Sequence, residues 1–420
     1  MADNAGRGWP VSGAKGILDL AGYGYGYGEH EYLMSGQATT YEQSGSRGSD
    51  GVWNTRMAGT GNGYTARIVV VRPNDPEKFS GTVVAEWLNV SFNVDVPEDF
   101  FQSCQHFVRS GYAYVGVTVQ KAGADRLKSE VSARYSAVNF TDDTVLRHLL
   151  VGGPGRAHTS KTARRAHPGG RAGDRSFAVG PPADHLRRRD PAEGQRLQRH
   201  HDPRPRPSAA PVGTELIPPL TAMIWQDLAV PVFEIQSETE IAFASSVRQN
   251  TAKVWEVAGT AHAEQFGLNL HNMVNARDKS INDGASVSCD KPVSSMAFRY
   301  AQNAGFFYLD RWARGGAAPP AAPDISTLLG PVILWGADGN ALGGMRLPDL
   351  DVPVAAYAPN NSGGNVFGAC LLLATTMPFP ADRIRQLYPD HATYVAKFMV
   401  AANAARMAGY LLPADHTEAV

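Results

Sequence analysis

The chain has 420 residues, of which 43% are hydrophobic and 19% are charged. This composition supports a large buried core and excludes a disordered or fibrous protein. The sequence contains no run of the ~18 consecutive apolar residues that a membrane-spanning helix needs, and its first residues lack the apolar core of a secretory signal. We therefore expect a cytoplasmic protein with no membrane partner.

The three cysteines are Cys104, Cys289 and Cys370, and none of them lies in a C-x-x-C motif. Their spacing supports neither a disulfide framework nor a structural zinc site. A single bridge between Cys289 and Cys370 stays open.

The formal net charge of −1 conceals an uneven distribution. Residues 152–212, the basic window, hold 13 of the 39 Lys and Arg residues but only 5 of the 40 Asp and Glu residues. The remainder of the chain is correspondingly acidic. Two different compositions are therefore joined in one sequence.

The elements before the window alternate between strands and helices. Alternating Gly and Tyr residues at 21–28 suit an extended or hairpin segment. The spacing of apolar residues then predicts strands over 64–71, 81–87 and 112–119, with a helix over 97–109. Strand, helix and strand in this order form a βαβ unit, which is typical of a parallel sheet covered by helices.

After the window, two further core strands are predicted over 230–235 and 252–257, and long helices near 292–314 and 390–411. The whole chain therefore predicts an α/β fold with a mainly parallel central sheet flanked by helices. We interpret residues 1–420 as one domain, interrupted by the basic window.

Two residue types with catalytic chemistry follow the last two predicted strands. Glu240, with Glu238 as the reserve candidate, comes after the first strand, and His262 lies in a loop of small residues after the second. A carboxylate can orient an imidazole and stabilise its protonated form, and the imidazole can take a proton from a serine hydroxyl. In α/β serine hydrolases the chain order is serine, then acid, then histidine.

Four stretches carry a resemblance to a known family, and they lie at 86–91, 255–263, 310–316 and 338–354. Over nearly the whole chain outside the window, the sequence resembles the alpha/beta hydrolase domain family of the α/β-hydrolase superfamily, whose expected members are serine esterases. The resemblance implies an α/β-hydrolase fold and a serine elbow of the form G-x-S-Q-S-A. It also implies oxyanion-hole amides around Leu88 and Asn89.

The basic window does not contain this elbow. It holds nine prolines and a single aromatic residue, so we expect irregular structure in place of the nucleophile strand. Read one base over, the codons of residues 175–182 permit Gly-Val-Ser-Gln-Ser-Ala-Arg-Leu, with the first serine formed from the codons of Phe177 and Ala178. We interpret the window as a stretch read out of frame, and a genuine basic insertion is the alternative.

Three functions follow from these observations. The first is a carboxylic ester hydrolase with a Ser-Glu-His triad, an acyl-enzyme intermediate, a small-molecule ester substrate and no metal or organic cofactor. The second is an inactive protein of the same fold that binds a ligand, because the written sequence lacks the nucleophile. The third is nucleic-acid binding through the arginines at 187–189. We expect no nucleic-acid partner, since the window has one aromatic for stacking and the surrounding chain is acidic.

Overall fold

A computed structural model of the protein describes residues 26–44, 55–90, 94–140, 231–243, 253–278, 287–328, 332–364 and 369–420. The basic window, including Phe177 and Ala178, lies outside these ranges, as does most of the Gly/Tyr segment. The described residues group into two compact units. The first unit holds those up to residue 140 and those from 270 to 278, and the second holds the others. The prediction of a single domain stays a prediction.

The first unit is built on a sheet with the strand order β1-β2-β4-β3 and with β5 beside β2. Its elements in chain order are β1 (Tyr27–Gln43), β2 (Thr55–Pro73), a 3-10 turn (Pro76–Lys78), β3 (Val83–Trp87), α1 (Glu98–Arg109), β4 (Ala113–Val117), α2 (Lys121–Glu130), α3 (Ser132–Tyr135) and β5 (Asn139–Phe140). The pair β3 and β4 is parallel, which confirms the predicted βαβ unit. The pairs that β2 forms with β1, β4 and β5 are antiparallel.

Apolar side chains explain the centre of this unit. The Val-rich end of β2 pairs with β4, with Ile68 opposite Val117, and α1 covers the sheet with the apolar side that its spacing predicts. Phe100 of α1 packs against Tyr114 of β4, with ring centroids 4.5 Å apart. Gly111 follows the helix with a φ of +69°, a conformation that glycine adopts without a steric cost.

The expectation of a mainly parallel sheet is not confirmed by the described strands, since most of the pairs are antiparallel. The difference comes mainly from β2, which is antiparallel to β1, β4 and β5. The sequence pattern did not predict β1. One of its inward-facing side chains is Glu31, which is buried and accepts hydrogen bonds from Arg67 Nε at 2.5 Å and the Tyr135 hydroxyl at 2.8 Å. A charged residue at a core position hides the alternation by which a strand is recognised.

The second unit contains a parallel pair, β6 and β7, in which Ser237 lies opposite Val257. Its elements in chain order are β6 (Phe233–Ser237), α4 (Glu238–Phe243), β7 (Lys253–Val257), α5 (Gln265–Asp278, of which the second unit holds residues 265–269), α6 (Phe298–Ala313), β8 (Thr327–Leu328), β9 (Val332–Ile333), α7 (Pro348–Asp351), β10 (Ala355–Ala358), α8 (Ala369–Leu373), β11 (Thr375–Pro378), α9 (Ala381–Leu387), α10 (His391–Ala408) and α11 (Pro413–Ala419). The pairs β8–β9 and β10–β11 are antiparallel.

The predicted helices of this unit are present, with different limits. The helix expected near 292–314 begins only at Phe298. The helix expected over 390–411 begins after Asp390, whose side chain accepts a hydrogen bond from the Thr393 amide at 2.7 Å, and it ends before Gly409. Both helices contribute to one core, whose buried residues include Trp255, Phe298, Tyr300, Met345 and Ala402.

Cys289 and Cys370 form a disulfide, with their Cα atoms 5.6 Å apart. This bridge settles the pairing that the sequence left open. Disulfides persist mainly in oxidising compartments, so the bridge does not support the cytoplasmic location, which stays a prediction. None of the helices in the described part of the chain has the length and apolar character needed to cross a bilayer.

Candidate active site

The carboxyl ends of β6 and β7 place the predicted acid and histidine side by side. The two strands are parallel and adjacent, so the residues that follow them emerge at the same edge of the sheet. Helix α4 starts directly after β6 and carries Glu238 and Glu240 in its first turn. After β7 the chain turns at Gly259, where φ is +75°, and reaches His262 three residues later.

Glu240 and His262 are in contact. The Nδ1 atom of His262 lies within hydrogen-bonding distance of Glu240 Oε1, and Glu240 Oε2 accepts a hydrogen bond from the Ser237 amide at 2.6 Å. The His262 side chain is 10% exposed and that of Glu240 is 24% exposed, so the pair lies at the edge of the protein interior. A carboxylate on Nδ1 fixes the ring orientation and leaves Nε2 as the nitrogen that exchanges a proton.

Glu238, the reserve acid, is brought to the same turn but not to the imidazole. Its side chain is completely buried, and Oε2 accepts a hydrogen bond from the Gly259 amide. Burial raises the pKa of the Glu238 carboxyl to about 7, although the Gly259 amide and the charge of Arg346 oppose the shift. Of the two candidate acids, Glu240 is therefore the one that contacts His262.

Thr239 is a residue that the sequence analysis missed. Its hydroxyl donates a hydrogen bond to the Pro359 carbonyl at 2.7 Å and accepts one from the His262 amide at 3.3 Å. The sequence around Thr239 gives no sign of these hydrogen bonds, because their partners, Pro359 and His262, are brought to it only by the tertiary fold.

The two amides predicted for the oxyanion hole have other hydrogen-bond partners in this structure, and the oxyanion hole stays a prediction. The Leu88 amide donates to the Val117 carbonyl at 3.0 Å, and the Asn89 amide donates to the Val96 carbonyl at 3.0 Å. A backbone amide carries one proton, so both donors are already engaged in extending β3 and closing the loop behind it. Residues 91–93 of this loop lie outside the described ranges.

Glu86, in the first stretch that carries the family resemblance, connects β3 to the start of α1 and to β4. Its carboxylate accepts hydrogen bonds from the amides of Asp99 at 2.9 Å and Phe100 at 3.2 Å, and from the Tyr114 hydroxyl at 2.7 Å. The first two donors belong to the N-terminus of α1, where the helix dipole favours a negative charge. Burial nevertheless raises the pKa of Glu86 well above its usual value.

Residues 338–348, the most distinctive of the four stretches, support β7. The Met345 amide donates to the Glu256 carbonyl at 2.7 Å, and the Ala258 amide donates to the Met345 carbonyl at 3.0 Å. A Cβ atom on Gly344 would lie 2.8 Å from the Ala258 side chain, so a larger residue there would disturb the strand. This stretch holds the strand that leads to His262.

An acid and a histidine after consecutive parallel strands are typical of α/β hydrolases. The comparison with known families agrees. The chain matches the model of the family described as "Alpha/beta hydrolase domain" over residues 2–157 and 186–420, and it belongs to this family. The unmatched residues, 158–185, fall inside the basic window and include Phe177 and Ala178. Neither curated proteins nor solved structures yielded a match to this chain.

Proposed function

We propose that the protein is a serine hydrolase of carboxylic esters, with His262 as the general base and Glu240 as the acid of a Ser-Glu-His triad. The observation that carries the proposal is the contact between Glu240 and His262 Nδ1. Membership of an α/β-hydrolase family supports a hydrolase in general, and the ester substrate and the triad are the proposal's own content.

In the proposed reaction, His262 Nε2 takes the proton of the serine hydroxyl as its oxygen attacks the ester carbonyl. The same nitrogen then gives the proton to the oxygen of the leaving alcohol. The alcohol departs, and the acyl group stays on the serine as an acyl-enzyme. His262 next activates a water molecule, which hydrolyses the acyl-enzyme and restores the serine. Throughout, Glu240 holds the ring and stabilises its positive charge.

The nucleophile is the serine that the shifted reading frame permits at the codons of Phe177 and Ala178. The gap in the family match at 158–185 supports this assignment, because the family pattern is interrupted where the serine elbow is expected. The second candidate function is an inactive ligand-binding protein, which is what the written sequence specifies.

The first experiment is to resequence the coding DNA across codons 145 to 215. Two compensating insertions or deletions would restore the elbow. If every codon of the present sequence is confirmed, the window lacks the serine elbow, and the inactive ligand-binding function replaces the proposed hydrolase.

The second experiment uses the frame-restored protein, p-nitrophenyl esters and a serine-directed phosphonate. We expect turnover that the phosphonate abolishes. His262→Ala should lower kcat on the order of 10⁴-fold or more, with the fold intact. His391→Ala, at an exposed histidine, is the matched control and should leave kcat unchanged. Unchanged turnover in His262→Ala would disprove the role of this histidine.

A further inference from the structure

Three successive side chains hold three different atoms of the turn that carries His262. Glu238 accepts a hydrogen bond from the Gly259 amide, Thr239 accepts one from the His262 amide, and Glu240 contacts the His262 ring. The first turn of α4 therefore contacts both ends of the 259–262 turn as well as the imidazole.

We propose that Glu238 and Thr239 are positioning residues for His262, which fix the backbone of its turn so that the ring meets Glu240. This proposal rests on the proposed function, since it concerns the orientation of the general base. Neither residue touches the ring in this assignment, so both act through the backbone.

The backbone of the turn needs such support. Gly259 has a φ of +75°, and a Cβ atom at this position would lie 2.7 Å from Leu350 Cδ1, so the chain turns tightly against its neighbours. Within the turn, the Thr260 hydroxyl donates to the Val257 carbonyl at 2.6 Å. The Gly259 amide points into the interior, where it would carry a free-energy cost without the Glu238 oxygen.

The burial and hydrogen bonding of Glu238 fit a positioning role better than a role in proton transfer. It is fully buried, and its Oε1 atom has no hydrogen-bond partner among the described residues. The contact with Gly259 needs only an acceptor oxygen, which an amide side chain also offers. Glutamine at position 238 should therefore preserve the hydrogen bond to the Gly259 amide, whereas alanine should remove it.

The experiment uses the full-length protein with the present 420-residue sequence, labelled with ¹⁵N-histidine, and observes the Nδ1 proton of His262 by NMR. The signal is assigned by its loss in His262→Gln. In Glu238→Ala we expect this proton to exchange with water about tenfold faster or more, because the ring is no longer held against Glu240. In Glu238→Gln the exchange rate should stay close to that of the parent.

Glu256→Ala is the matched control. Glu256 is also a buried carboxylate of the second unit that accepts a hydrogen bond from a backbone amide, that of Ile325 at 2.8 Å. Its loss should leave the His262 signal in place. Thr239→Val removes the hydroxyl with little change of shape and should also accelerate exchange, which provides a test if Glu238→Ala does not fold.

Unchanged exchange in both Glu238→Ala and Thr239→Val would overturn the proposal. Equal acceleration in Glu256→Ala would also overturn it, because the effect would then be general destabilisation. The readout does not depend on turnover. An inactive frame-restored protein with these NMR results would contradict the proposed function and leave the positioning role standing.

Discussion

In the first unit, Glu31 and Asp95 both form ion pairs with Arg67. In the second unit, Glu238 and Glu240 contact the turn that carries His262. Both arrangements use carboxylates as hydrogen-bond acceptors. They differ in the partner and in exposure. The Glu31 side chain is 1% exposed and is paired with guanidinium groups, whereas Glu240 is 24% exposed and is paired with an imidazole.

This difference separates the buried ion-pair cluster of the first unit from the proposed active site. Arg67 keeps its charge at any pH a protein survives, so the cation of this cluster does not exchange a proton. An imidazole changes its charge near neutral pH, and its carboxylate partner sets which nitrogen does so. Buried carboxylates alone therefore do not indicate an active site. Whether the partner group can exchange a proton is what distinguishes the two regions.

The largest effect on this comparison should come from Arg67→Met. The change leaves Glu31 and Asp95 buried without their shared cation, so the free energy of unfolding should fall by about 3–5 kcal/mol. Urea unfolding followed by circular dichroism measures the loss. Arg385→Met is the control, because Arg385 and Asp382 form a pair that is 68% and 84% exposed. This control should cost less than about 1 kcal/mol. Similar losses in the two variants would contradict the structural role of the Arg67 cluster.

A smaller effect, confined to the second unit, should follow removal of the disulfide. Cys289 and Cys370 are 81 residues apart in the chain, so opening the bridge should lower stability by about 2–4 kcal/mol. The Leu372 carbonyl, close to Cys370, accepts a hydrogen bond from the Ala263 amide at 3.2 Å. In Cys289→Ser with Cys370→Ser, amide exchange should therefore increase around residues 253–264.

Residues 64–71 of the first unit should exchange at the parent rate in the same variant. A reducing agent should destabilise the parent but not the double variant. If the reducing agent changes neither protein, the bridge does not contribute to the stability of the chain.

The sequence predicted the parts of the fold that apolar periodicity encodes. Strands such as Val83–Trp87 and helices such as Glu98–Arg109 were predicted closely, because most of their buried residues are apolar. Strand β1 was missed because charge pairing across the sheet replaces apolar contact at Glu31. The mainly parallel sheet is not confirmed by the described strands, because β2 pairs antiparallel with β1, β4 and β5.

For the candidate site, sequence order was informative where the chemistry follows strand ends. Glu240 and His262 were chosen because each follows a predicted strand, and the structure brings them into contact. The amides of Leu88 and Asn89 could not be judged in this way, because a backbone donor carries no residue signature and its partner is a matter of tertiary pairing. The role of Thr239 was hidden for the same reason.

The smallest and most local effect concerns the pH dependence of stability. Burial raises the pKa of Glu238 to about 7 in the folded chain, above the ordinary value of 4.5. The folded state therefore binds more protons than the unfolded state between these values, and stability falls as the pH rises through this window. Glu238→Gln removes the titrating group, so the parent should lose up to about 3 kcal/mol relative to the variant between pH 4.5 and pH 7.5.

Urea unfolding at several pH values measures the difference between the two proteins. Glu264, whose pKa burial also raises to about 7, is present in both and cancels in the comparison. Parallel pH profiles for the parent and Glu238→Gln would mean that Glu238 is ionised at the same pH whether folded or unfolded. The distinction between the two regions would then rest on Glu240 and His262 alone.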